Sequence, residues 1–126
     1  MRILVTGGAG FIGSSVVDAY LEAGHHVGVV DDLTSGAREN LNPRARWHDL
    51  DVRSEALDGV FASERPEIVS HHAAHVSVRR SVDDPVGDAS VNVLGSLRVL
   101  AAARRHGIRR VIFASTGGAI YGEPDV

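Results

Sequence analysis

The chain has 126 residues, 44% of them hydrophobic, with a formal net charge of -3. That length builds one domain with a real core and is too short for two. No stretch approaches the ~18 uninterrupted apolar residues a membrane helix needs, and the N-terminus lacks the basic, apolar, small-residue order of a signal peptide. The charge gives no electrostatic reason to expect nucleic acid. The absence of cysteine excludes disulfides, thiolate catalysis and cysteine metal sites, and fits a cytoplasmic location. All thirteen basic side chains are arginine, and there is no lysine.

In chain order, Arg2 to Thr6 is an apolar run that reads as a buried strand. Gly7-Gly8-Ala9-Gly10-Phe11-Ile12-Gly13 follows at once and fits both G-x-x-G-x-x-G from Gly7 and G-x-G-x-x-G from Gly8. Glycines between a parallel strand and a helix let the backbone pass within contact of a phosphate, which then meets the first helical amides and the positive end of their dipole. A side chain at Gly10 or Gly13 is predicted to fill space that a ligand or the facing strand needs. A helix is predicted over Gly10 to Ala23, with Val16, Val17, Tyr20 and Leu21 continuing Phe11 and Ile12 along one face, and Gly24 as its stop. His26 to Val30 is the second strand, ending at Asp31. That carboxylate lies 18 residues past Gly13, near the roughly 20 expected of an acid accepting from adenosine ribose hydroxyls, although an Asp after a strand is also a turn former.

Leu33 to Pro43, rich in turn residues, is predicted as the one long loop. Strands over Ala45 to Leu50, Glu67 to His71 and Arg110 to Ala114 follow, with helices over Ser54 to Ser63 and from Pro85 to His106 between them. The long helix places Val93, Leu94, Leu97, Leu100 and Ala101 on one side. Alternating strands and helices imply an α/β, Rossmann-type doubly wound parallel sheet joined by right-handed crossovers. The predicted strand order is 3-2-1-4-5, with the ligand crevice beyond strands 1 and 4. Small residues such as Ala73 and Ala74 after a central strand permit close approach of a flat ring. An Asp51-Val52 pair at a strand end offers adenine a hydrogen-bond partner and an apolar wall. His71, His72 and His75 span a strand end and a loop with no cysteine or carboxylate close by in sequence, so no metal site is expected there.

Four blocks in order, Thr6 to Gly13, Asp31-Asp32-Leu33-Thr34-Ser35-Gly36, Asp51-Val52-Arg53 and His71-His72-Ala73-Ala74 with Val78, Ser81 and Pro85, resemble the extended short-chain dehydrogenase/reductases that act on nucleotide sugars. The segment Phe113 to Gly122, FASTGGAIYG, extends the resemblance, which is strongest to the NAD-dependent epimerase/dehydratase group and within it to nucleotide-sugar 4-epimerases. The resemblance implies a dinucleotide-binding domain over residues 1–126 with NAD as cofactor. Gly7, Gly10, Phe11, Ile12 and Gly13 would contact it through the turn, Asp31, Asp32 and Ser35 on the adenosine ribose side, and Asp51 and Val52 beside adenine. Ala73 and Ala74 would line the nicotinamide, Asn92 would approach its ribose, and Ser115 or Thr116 would supply a catalytic hydroxyl to the sugar's reacting oxygen. The family's helix across the subunit boundary implies a homodimer or self-association.

One departure is large. The family's chemistry rests on a Tyr-x-x-x-Lys pair, but Tyr20 is followed four residues on by Gly24, Tyr121 by Asp125, and the chain has no lysine. The family's C-terminal strands and nucleotide-sugar domain are likewise expected to be missing, so these residues alone are predicted inactive. Three functions stay open: the NAD-binding part of a UDP-glucose/UDP-galactose type 4-epimerase, that of a dehydratase or decarboxylase of the same family, and a non-catalytic dinucleotide-binding module. Gly117-Gly118, where such dehydratases carry an Asp-Glu pair, favours the epimerase.

Overall fold

Alternation along the first strand sets up two cores. In β1 (Arg2–Thr6), Ile3 and Val5 point to one face and Leu4 to the other, and all three are buried. The computed structural model describes residues 1–116, in which β1 joins β2 (His26–Asp31), β3 (Arg46–Asp49), β4 (Ile68–His71) and β5 (Arg110–Phe113). Their order is β3-β2-β1-β4-β5 and every pairing is parallel, as the sequence predicts. β1 sits centrally, its Thr6 level with Val30 of β2 and His71 of β4.

Helix α1 (Phe11–Glu22) covers one face through Val17 and Leu21, four apart, which close over Ile3, Val5, Val27 and Val29, while Gly13, one turn earlier, is buried against the glycine turn. It ends in a Schellman motif: Gly24, at φ 79°, donates to Leu21 O while His25 donates to Tyr20 O. Helices α2 (Leu57–Glu64) and α5 (Ser96–Arg105) cover the other face, with Phe61 and Val99 packed on Leu4, Val30 and Val69. Gly107, at φ 64°, ends α5 in the same way.

Four elements differ from the sequence reading. α2 begins at Leu57 and not at Ser54, because Ser54 Oγ accepts from the Ala56 amide at 3.2 Å and holds residues 54–56 in turns. The helix predicted over Pro85 to His106 is present as one unbroken run, α4 (Pro85–Ala89), a π-helical segment (Ser90–Gly95) and α5, and only its widened middle departs from the sequence reading. A further short helix, α3 (Val78–Asp83), precedes them, capped by Ser77, while Asp84 caps α4 ahead of Pro85. The predicted loop Leu33 to Pro43 contains a 3-10 turn at Arg38–Asn40.

Val93, Leu94, Leu97 and Leu100 form an apolar ridge on the outer side of the π segment and α5, each at least 44% exposed. The core side is lined instead by Val91, Gly95, Ser96, Val99, Ala102 and Ala103. No helix among the described residues is long and apolar enough to cross a membrane.

Candidate functional site

The site is built at the carboxyl edge of β1, where the chain turns back into α1. Gly7 adopts φ 70° and donates to Val30 O at 2.8 Å, and Gly10 N donates back to Gly7 O at 3.2 Å. A Cβ on Gly7 would stand 2.6 Å from Ala73 N, and one on Gly8 would stand 2.7 Å from Val29 Cγ1. One on Gly13 would run into the Gly7 carbonyl. Gly13 thus makes room for the turn's own backbone, where the sequence predicts a ligand or the facing strand. Gly10 differs from these: a Cβ there would meet, among the described residues, Gly7 O at 3.3 Å. With no side chain capping α1, the amides of its first turn open onto a cradle that fits a dinucleotide's pyrophosphate. Phe11 and Ile12 project into solvent, 91% and 65% exposed, and not along the buried face of α1. They precede the first residue of that helix that packs on the sheet.

The second strand brings Asp31 to the same turn. Its side chain is buried, Oδ2 accepting from Ala9 N and Oδ1 from Leu33 N, both at 2.9 Å. A carboxylate has about four acceptor positions, so capacity remains for ribose hydroxyls. Leu33 sits in the left-handed region at φ 57°, and Asp32 Oδ1 steadies the turn by accepting from Thr34 N at 2.9 Å. Ser35 is exposed beside it. Ala37 N and Asn40 Nδ2 both donate to Ala9 O, at 3.1 and 2.9 Å, and a Cβ on Gly36 would press on Ala9. Asp31, the loop after it and the glycine turn therefore form one hydrogen-bonded unit. The Arg38 guanidinium lies over the Trp47 ring, 4.7 Å from its centroid, and Trp47 Nε1 donates to Asp31 O at 3.0 Å.

The loop after β3 carries Asp51, whose Oδ1 accepts from Arg53 N at 2.7 Å and from Arg53 Nε at 3.0 Å. The Arg53 guanidinium holds the Asp51 carboxyl below the usual carboxylate range. Val52 points inward, 5% exposed, among Leu4, Val30 and Leu57. The apolar wall predicted from its side chain is thus part of the core; only its main chain and Asp51 stand at the strand end.

On the other side of β1, the loop after β4 crosses Gly7. Thr6 Oγ1 receives the amides of His72 and Ala73, each at 3.3 Å, which sets Ala73 beside the glycine turn and leaves Ala74 exposed. Asn92, predicted near a ribose, grips the His75 main chain: Oδ1 accepts from His75 N at 2.8 Å and Nδ2 donates to His75 O at 2.9 Å and to Asp88 Oδ1 at 3.2 Å. Any ribose contact is left to the second lone pair of Oδ1. His71 lies 2.6 Å from Thr6 Oγ1 and 3.0 Å from Ser96 Oγ, whereas His72 Nε2 lies 2.8 Å from Ser70 Oγ. Among the described residues no group of His, Cys, Asp or Glu gathers that could hold a metal ion. Ser115 and Thr116 are exposed just past the point where Ala114 N donates to His71 O at 3.1 Å. The rest of that motif, Gly117 to Gly122, lies outside the described residues.

Sequence reasoning missed Thr6, Ala9, Asn40, Arg53 and Ser96, whose roles are to tie these turns together. Of these, Thr6, Ala9 and Arg53 stand inside recognised motif blocks. Asn40 and Ser96 carry no signal until the chain folds.

Comparison with known proteins agrees with this geometry. The model of the NAD dependent epimerase/dehydratase family matches residues 3–126. The UDP-glucose 4-epimerase of Mycolicibacterium smegmatis is 48% identical over 129 residues, covering 98% of this chain and 41% of that protein. Crystal structures of UDP-glucose 4-epimerases from Thermotoga maritima, with UDP-glucose, and from Thermus thermophilus, with NAD, are each 50% identical. They superpose with TM-scores of 0.94 and 0.95, over 100% and 99% of this chain and 41% and 40% of theirs. The chain thus spans about 40% of the length of these relatives. With the glycine cradle, the anchored Asp31 and the matched strand order, these similarities have one reading: the chain belongs to the NAD dependent epimerase/dehydratase family.

Proposed function

We propose that the chain is the NAD-binding part of a nucleotide-sugar 4-epimerase of the UDP-glucose/UDP-galactose type. The observation that carries this reading is the fused unit of Gly7 to Gly13 and Asp31, joined by the 2.9 Å bond from Ala9 N. It sits at the switch point of the sheet, where β1 lies between β2 and β4. The relatives crystallised with NAD and with UDP-glucose support cofactor and substrate class.

In this reading Gly7, Gly10, Phe11, Ile12 and Gly13 receive the pyrophosphate, Asp31, Asp32 and Ser35 the adenosine ribose, and Asp51 with the Val52 main chain the adenine. Ala73, Ala74 and Asn92 form the nicotinamide side. When bound, NAD supplies the hydride acceptor and donor for the sugar's C4. Ser115 or Thr116 holds a hydroxyl toward the oxygen on that carbon. The proton itself needs a Tyr-x-x-x-Lys pair, which these 126 residues cannot provide without a lysine.

Two outcomes are expected of the purified chain. NAD should raise its melting midpoint, because a ligand bound to the native state stabilises in proportion to its affinity. UDP-galactose should not turn over at the rates of the relatives, since general acid/base catalysis of this kind supplies roughly 10²–10⁴-fold. A midpoint unmoved by NAD removes the cofactor reading, and turnover at family rates removes the requirement for the missing pair.

A further inference from the structure

We propose that His71 is a positioning residue of the NAD site: it joins the end of β1 to the π-helical segment and thereby holds the loop 71–75 in register with the glycine turn. The role rests on the cofactor reading above, and its geometry is independent of it. Ser96 Oγ donates its only proton to Asn92 O at 2.7 Å, so it faces His71 Nε2, 3.0 Å away, as an acceptor. The His71 proton is therefore on Nε2. Thr6 Oγ1 already accepts from the His72 and Ala73 amides, so its proton goes to His71 Nδ1 at 2.6 Å. One neutral tautomer satisfies all four partners, in a direction running from Thr6 through His71 and Ser96 to the Asn92 carbonyl.

The surroundings keep that tautomer in place. Thr6, His71 and Ser96 are all buried, and Phe113 packs on the imidazole with ring centroids 5.5 Å apart. Burial, with the neighbouring His72 second, pushes the His71 imidazole down to about 4, so it is neutral at pH 7. A second proton would point at a Thr6 hydroxyl whose acceptor positions are taken.

The relay acts at one end of a clamp. Asn92 and Ser96, four residues apart, grip His75 and His71 at the two ends of the same loop. The Ser96 hydroxyl also takes the Asn92 carbonyl, and this carbonyl belongs to the widened turn, the kind of helix irregularity that clusters at functional sites. The adenosine side is tied by different bonds, from Ala9 to Asp31, Ala37 and Asn40. Loss of the relay should therefore loosen the nicotinamide half alone.

The test compares NAD with ADP, which carries only adenosine and the pyrophosphate, by calorimetric titration of the full chain. His71→Phe keeps a ring against Phe113 and removes both hydrogen bonds. It should weaken NAD about tenfold and ADP less than twofold, the loss expected of one or two buried hydrogen bonds. Ser96→Ala should act in the same direction, and Ser96→Thr, which keeps the hydroxyl, should restore NAD binding. Nitrogen-15 spectra of the unmutated chain give a reading that needs no ligand: His71 should carry its proton on Nε2 from pH 7 to 5. A proton on Nδ1, equal loss of NAD and ADP, or no loss of either overturns the role while leaving NAD binding intact. An unmutated chain that binds neither ligand overturns the cofactor reading and this role with it.

Discussion

At the residue scale, the chemistry of the site depends on a few side chains whose partners are fixed by the fold. Asp31 places an anion at the expected adenosine ribose, where the 2′-phosphate of NADP would meet it. Arg38, the nearest basic residue along the loop, lies over Trp47, so a shift toward the phosphate would give up that stacking. Repulsion of this kind is on the order of a hundredfold in affinity. NAD should therefore raise the melting midpoint well above the effect of equal NADP, and Asp31→Ser should shrink the gap; equal stabilisation by both would remove Asp31 from this role. His71 gives a pH signature. Its folded pKa lies near 4, below the ordinary 6.5, so the unfolded chain binds a proton that the native chain refuses. The stability it contributes is full above pH 6.5 and falls by about 3 kcal/mol as pH drops to 4. His72, lowered by burial, adds in the same direction, whereas the contributions of Asp51, Asp58 and Glu67, all lowered, are full above their ordinary 3.8 to 4.5 and are lost as pH falls further. Denaturant titrations of His71→Phe across pH 4 to 6.5 should show a flatter profile than the unmutated chain; an unchanged slope contradicts the assignment.

At the element scale, the π-helical segment is the piece that periodicity could not find. Its apolar residues keep helical spacing, so Val93, Leu94, Leu97 and Leu100 read as a stripe on a continuous helix. The inner side carries Gly95 against Val52, and Ser90 takes Arg53 through a 3.0 Å bond. The segment thus touches the loop after β3 through Ser90 and Gly95 and the loop after β4 through Asn92 between them. Gly95→Ala would put a methyl 3.0 Å from Val52 Cγ2, closing that contact. Overpacking of this size costs about 1–3 kcal/mol, offset by about 1 kcal/mol for replacing a glycine inside a helix, so a modestly lowered denaturation midpoint is expected. A midpoint equal to the unmutated chain would mean that the segment yields freely there.

At the scale of the whole molecule, two surfaces are left open among the described residues. The ridge of Val93, Leu94, Leu97 and Leu100 is one, and the side of β5 away from β4, with Ile112 and Phe113 exposed, is the other. Exposed edges and contiguous apolar patches associate. The chain should self-associate at high micromolar concentration, and Leu94→Glu with Leu97→Glu should reduce it. A sharp monomer in light scattering counts against this.

The sequence by itself determined the architecture: five strands in their order, the glycine turn, and the placement of Asp31 at its side. Each follows from short-range rules, in which glycine spacing and apolar runs fix the local backbone and right-handed crossovers fix the topology. Only the tertiary structure decided which way side chains faced and what they bonded. Val52 turned into the core, Phe11 and Ile12 turned out of it, Gly13 made room for Gly7, and Asn92 closed on His75. Those outcomes depend on residues up to 66 and 67 positions apart, as with Thr6 and the amides of His72 and Ala73, and no local pattern along the chain records them.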